Sequence, residues 1–229
     1  MTRTTLAAFV LVGALGLTAC SGSDSSDAGS GSDGVSSSAT PYLPVPDGVE
    51  LTPPGSQLSV GDSAVVAYHP RQDDVAALDI QVTSLEKAPI KAFSAWQLTD
   101  AQKKSNPYYV RATIENVGDT DLGGRAVPLY VVNDDNVLLE PTPFASSFEP
   151  CPSTPFPEKF GPGKKAQVCL VYLAPEHGKL EAVSFRPEET FNPITWTGEV
   201  EPYQPPKPSK ASKSPKPSKP TNSKKPKQQ

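Results

Sequence analysis

Histidine, methionine and cysteine are scarce in this chain of 229 residues: two, one and three respectively. The scarcity bounds the chemistry. Zinc and copper sites draw on several imidazole, thiolate or thioether ligands, and His69, His177 and Met1 do not make such a set. A long apolar run is missing too. The stretch Leu6 to Leu17 falls well short of the ~20 residues that a helix needs to cross a bilayer. There is no Gly-x-Ser-x-Gly nucleophile elbow. Gly123-Gly124 lacks the lysine and the following helix of a phosphate-cradling loop. Each histidine adjoins a turn residue, His69 before Pro70 and His177 before Gly178, which reads as surface rather than catalysis. No enzyme activity, cofactor or metal is expected. The acidic pairs Asp73-Asp74, Asp119-x-Asp121 and Asp134-Asp135 offer oxygen ligands of the kind calcium takes. None has the spaced acidic loop with a distal Glu, and turn chemistry accounts for them.

Acid is also missing from one end. After Glu201 there is none, while eight lysines follow: Lys207, Lys210, Lys213, Lys216, Lys219, Lys224, Lys225 and Lys227. The chain totals 21 Lys+Arg and 25 Asp+Glu. Setting aside the tail, Arg3 and the early acids Asp24, Asp27 and Asp33 leaves 12 basic and 22 acidic residues in the centre. A centre of formal charge −10 therefore carries a tail of +8. An acidic centre of this kind excludes nucleic acid as its partner, because phosphate neutralisation needs a basic face.

What is present at the start is an address. Arg3 and the amino terminus precede the apolar stretch Leu6 to Leu17, and small residues then lead to a cysteine. That is the pattern of a secretory signal with a cleavage site. Leu17-Thr18-Ala19-Cys20 resembles the lipobox of bacterial lipoproteins, in which the cysteine thiol is acylated and becomes the first residue. The resemblance implies residues 1–19 as signal peptide, lipidation at Cys20, and a lipid-anchored position on the extracytoplasmic face of the cell membrane. Residues 20–44 then form a flexible Ser/Gly linker, with too little apolar surface to fold. With Cys20 committed to lipid, Cys151 and Cys169 remain in an oxidising compartment, and an even remainder predicts one disulfide.

Residues 45–202 have the length of one domain. Leu58 to Val60 and Ala64 to Tyr68 read as strands around a Gly61-Asp62 turn. Ala77 to Thr83 alternates, with Leu78, Ile80 and Val82 on one face. Tyr108 to Asn116 alternates as well, with Tyr109, Arg111, Thr113 and Glu115 opposite Tyr108, Val110, Ala112 and Ile114. Further strands are predicted over Ala126 to Val132, Val137 to Leu139, Ala166 to Leu173 (as a central strand), Leu180 to Phe185 and Ile194 to Thr197. Lys87 to Pro107 is the long irregular piece, with room for one helical turn after Thr99. Trp96 and Trp196 are expected to fill or cover the core rather than to join Tyr108 and Tyr109 in a binding surface. Many short strands with no long helix predict an all-β fold, an antiparallel β-sandwich, with a β-barrel as the alternative.

The motif Tyr109-Val110-Arg111-Ala112-Thr113-Ile114-Glu115-Asn116-x-Gly118 is followed by Val127-Pro128-Leu129-Tyr130. Gly161-Pro162-Gly163 then precedes Val168-Cys169-Leu170-Val171-Tyr172. Together these resemble the telokin-like, immunoglobulin-like domains of secreted actinobacterial and other Gram-positive lipoproteins. The resemblance implies an immunoglobulin-like sandwich and brings no catalytic residues with it. Fold alone does not license function. Residues 203–229 alternate Lys, Pro and Ser and are expected to stay extended and disordered. The sequence thus points to a membrane-anchored, non-enzymatic binding or interaction module of the cell envelope. Its tail lysines are candidates for contact with anionic wall polymer. The alternative is a ligand-binding accessory subunit of a membrane transporter or envelope enzyme; in either reading the protein or small-molecule partner of the domain is unknown.

Overall fold

The computed structural model describes residues 41–144, 146 and 148–205. Their architecture is the predicted one, a sandwich of two mainly antiparallel sheets. The strands in chain order are β1 (Gln57–Ser59), β2 (Ser63–Arg71), β3 (Asp74–Lys87), β4 (Asn106–Asn116) and β5 (Tyr130–Asn133). They continue with β6 (Leu138–Leu139), β7 (Lys165–Ala174), β8 (Leu180–Phe185), β9 (Ile194–Thr197) and β10 (Val200–Pro202). One sheet runs β1-β9-β8-β5-β6; the other runs β10-β3-β4-β7, with β2 also paired to β3.

The period-two pattern explains the long strands. On β3, Leu78, Ile80 and Val82 all turn inward, and β4 answers with Val110, Ala112 and Ile114. The facing sheet supplies Val131, Val183, Phe185, Ile194 and Trp196. Burying each large apolar side chain contributes roughly 1.5–3 kcal/mol. Two polar groups at these depths find backbone carbonyls as partners. The Tyr172 hydroxyl donates to the Leu129 carbonyl (2.8 Å), and the fully buried Trp196 indole donates to the Asp62 carbonyl (3.0 Å).

On one side the chain itself closes the sandwich by changing sheets. Gly61, at φ 103°, carries it from β1 to β2 and donates to the Val82 carbonyl (2.8 Å). Gly198 carries it back from β9 to β10 and lies so close to Val60 that a Cβ there would meet Val60 Cγ2 at 2.7 Å.

Three expectations need correction. Ala126 to Leu129 does not join the ladder, which begins at Tyr130. Pro128 has no N–H to give, so this run is an extended approach to the strand and not part of it. The strand over Ala166 to Leu173 is not central: β7 ends its sheet, with β4 on one side and an irregular loop on the other. His69 lies within β2 rather than in a turn, its ring Nδ1 3.0 Å from the Asp74 carbonyl.

Candidate functional site

The outer face of the β3-β4-β7 sheet carries a second core. Tyr109 on β4 and Cys169 and Val171 on β7 turn away from the sandwich interior. Over them fold two irregular segments, one after β3 and one after β6. The first brings Phe93, the second Phe148, and the two rings stack at 4.8 Å. Trp96 meets Phe148 edge-on at 5.0 Å, and Phe144 lies 5.4 Å from Trp96. Tyr109 closes the group beneath Phe148 (5.9 Å) and touches Tyr203 (5.0 Å). Such edge and offset contacts contribute about 0.5–1.5 kcal/mol each beyond area burial.

Covalent and polar ties hold this layer down. Cys151 and Cys169 form a disulfide, with Cα atoms 5.1 Å apart. Ser153, two residues past Cys151, is buried and at φ 50°, a left-handed conformation that a side chain tolerates only under constraint. Its N–H donates to the Cys169 carbonyl (2.9 Å) and its hydroxyl to the Thr142 carbonyl (2.9 Å), while it accepts from the Val171 N–H (3.1 Å). The Thr142 N–H in turn donates to the Val171 carbonyl (2.7 Å). The loop therefore supplies the edge of β7 with partners that a strand would otherwise have offered. Burial pushes the Tyr109 phenol well above its ordinary value, with Tyr203 and Glu86 adding to the effect.

The aromatic residues singled out in the sequence are divided between the two cores. Trp196 and Tyr108 belong to the sandwich interior; Tyr109 and the partly exposed Trp96 belong to the outer layer. Sequence reasoning does not place Phe144, Phe148, Ser153 or Tyr203 there. The signal for the first two is a proline-rich loop unusually supplied with phenylalanine.

The acidic turns act as local caps. Asp121 Oδ1 accepts from the N–H groups of Gly123 (2.9 Å) and Phe160 (3.1 Å), and Asp134 Oδ1 from that of Lys179 (2.7 Å). Asp74 pairs with Arg71 (3.1 Å). Among the described residues no group of three or more His, Cys, Asp or Glu is placed to hold a metal. On the flank opposite the sheet-switching side, a cavity of about 320 Å³ opens between the sheets, walled by Val127, Tyr130, Pro141, Pro143, Pro155 and Leu170.

The two ends of the described chain leave the sandwich at separate places. The Tyr42 hydroxyl accepts a hydrogen bond from the Ala67 N–H (2.8 Å), and Ala67 sits opposite Ala77 on β3. Tyr203 donates its N–H to the carbonyl of Lys87 (3.0 Å), the last residue of β3. From Ala77 to Lys87 is ten residues of strand, on the order of 30 Å. Leu17-Thr18-Ala19-Cys20 and the eight tail lysines lie outside the described residues. No family model, no curated protein and no solved structure matches this chain.

Proposed function

We propose that the chain is a lipoprotein of the cell envelope, tethered through Cys20 to the extracytoplasmic face of the membrane. Its immunoglobulin-like domain serves as a binding module and not as an enzyme. The tail from Lys207 to Lys227 makes contact with anionic wall polymer. One observation supports this division of labour: the strand β3 separates the point where the linker arrives from the point where the tail departs by ten residues. A domain standing on the membrane at the Tyr42 end would hand its tail to whatever lies farther out. The domain's own net charge of −10 opposes a broad approach to anionic surfaces and puts the long-range attraction in the tail.

The test is retention of the mature chain on purified cell wall, with and without residues 204–229, over a salt series. Retention by the full chain should fall as salt rises, because exposed charges are screened beyond ~8 Å at physiological ionic strength. Equal retention without the tail, or retention indifferent to salt, refutes the reading.

A second reading, a ligand-binding accessory subunit, is favoured by the flank cavity. About 320 Å³ of mostly apolar space suits a small ligand. The large apolar side chains exposed among the described residues, Val137 and Leu138, are too few to suggest a protein-docking patch.

A further inference from the structure

The charge of the domain is unevenly spread in a way that whole-domain totals hide. Of its 12 basic residues, four fall within the 18 residues from Lys87 to Lys104, and of its 22 acidic residues only Asp100 does. This segment is one of the two that build the outer aromatic layer. Its four lysines are all exposed. Asp100 pairs with Lys103 (2.9 Å), and among the described residues Lys87, Lys91 and Lys104 form no ion pair.

A groove of about 300 Å³ runs through the same segment, lined by Ile90, Lys91, Phe93, Trp96, Leu98 and Lys103. Its walls are well fixed for so short a stretch. Phe93 is fully buried and anchors one side. On the other side Thr99 and Gln102 form a reciprocal cap on the single helical turn α1 (Asp100–Lys103), with bonds of 3.2 and 3.0 Å. The Lys104 carbonyl accepts from the His177 N–H (2.8 Å), which ties the turn to the chain just past β7. Trp96 is held edge-on by Phe144 and Phe148 yet keeps part of its surface in the groove. Tyr203, where the lysine tail begins, is a member of the same aromatic layer.

We propose that the Trp96 groove is a binding site for an anionic glycan. A sugar ring lays its apolar face on the Trp96 indole, and its acidic group meets Lys91, with Lys103 also in the lining. The inference rests on the envelope reading for the source of the polymer, and it gives the domain its own part in that contact. A stacking side chain that shares a groove with cations fits an acidic sugar better than a simple phosphate, which has no face to stack, or a neutral sugar, which has no charge to pair. The position argues the same way. The groove lies at the Tyr203 end of β3, so one polymer chain can lie across it and continue along the tail lysines, each contact raising the effective concentration for the next.

The experiment exploits the tryptophan count. The chain has two tryptophans, and Trp196 is fully buried, so a ligand that stacks in the groove changes the emission of Trp96. The full mature chain is titrated with polygalacturonate, an acidic sugar polymer, with polyphosphate as the charged control and dextran as the neutral one. Polygalacturonate should give a saturable change in Trp96 emission that is absent from Trp96→Phe. Dextran should give none, and polyphosphate should bind without it. Lys91→Glu, at an exposed site that leaves the packing intact, should weaken polygalacturonate binding by about threefold or more at low salt. Replacing the eight tail lysines by glutamine should lower affinity and keep the emission change. Binding of polygalacturonate with no emission change, no binding at all, or equal affinity in Lys91→Glu overturns the groove proposal. Affinity unaltered by the tail substitutions, with the emission change intact, overturns the tail reading and leaves the groove standing.

Discussion

Arg111 lies directly across the β4–β7 ladder from Cys169, and its guanidinium donates to the carbonyl of Pro150, the neighbour of Cys151 (3.1 Å). It also reaches Glu86 at 3.3 Å. One loop is thus fastened to the sheet twice at nearly the same place, once by a covalent bond and once by a cation.

Replacing both Cys151 and Cys169 by Ala should cost about 3 kcal/mol, the loop-closure entropy of a bridge between residues 18 apart. Arg111→Met should cost about 1 kcal/mol in the oxidised protein. In the bridge-free background it should cost less, because the Pro150 carbonyl is no longer held in place. Urea unfolding of the four variants gives the cycle. Full additivity would mean that Arg111 positions the loop without help from the disulfide.

Asn116 and Gly118 should prove sensitive for different reasons. Asn116 is fully buried; its amide donates to the carbonyls of Thr120 and Phe160 (both 2.8 Å) and its side-chain oxygen accepts from the Gly118 N–H (3.1 Å). Asn116→Ala strands those partners at a cost of about 2–4 kcal/mol. Gly118→Ala places a Cβ 2.7 Å from the Ala77 nitrogen, for about 1–3 kcal/mol. Gly161→Ala, with open space around it, is the control and should change stability by less than about 0.5 kcal/mol. Thermal or urea midpoints rank the three.

Alkaline pH should unfold the domain. Burial raises the phenols of Tyr172, Tyr109, Tyr68, Tyr108 and Tyr42, with Tyr68 pushed up to about 12 from 10.0. A raised tyrosine favours the neutral form in the folded state. Its stabilising contribution is whole below about pH 10 and is lost as pH climbs toward the folded value. Unfolding followed across that window, with phenolate absorbance read alongside, should show both events together. Among the described residues the Tyr68 hydroxyl has no hydrogen-bond partner, so Tyr68→Phe should leave neutral-pH stability intact and lessen the alkaline loss.

Cys20→Ser should release the protein from cells into the medium. A variant that still partitions into the detergent phase would contradict lipid anchoring at Cys20.

The inner face of β4 is legible in the sequence because Tyr108, Val110, Ala112 and Ile114 alternate strictly and all are buried. Its outer face is harder to read. Tyr109 is fully buried while Thr113 and Glu115 meet solvent, since the covering loops span only one end of the sheet. Alternation reports which residues share a face, not how far along that face a cover extends. The same blind spot hides the true place of β7, whose apolar outer residues answer to a loop lid and not to a central position. The disulfide follows from the cysteine count. The strand β10 does not follow from anything in the sequence, because three residues in parallel pairing carry no period. The Trp96 groove needs the fold, which alone brings Lys91 and Lys103 into the lining of one pocket with the indole.

The pairing of the first and last strands bears on what happens under tension. β1 runs parallel to β9, and β10 runs parallel to β3. When the linker is held at one end and the tail at the other, the pull drags each terminal strand lengthwise along its neighbour. Their hydrogen bonds lie across the line of force and must give way together, whereas a peeled hairpin loses them one at a time. Each terminal strand is three residues long, and shear is the loading in which so short a pairing resists best.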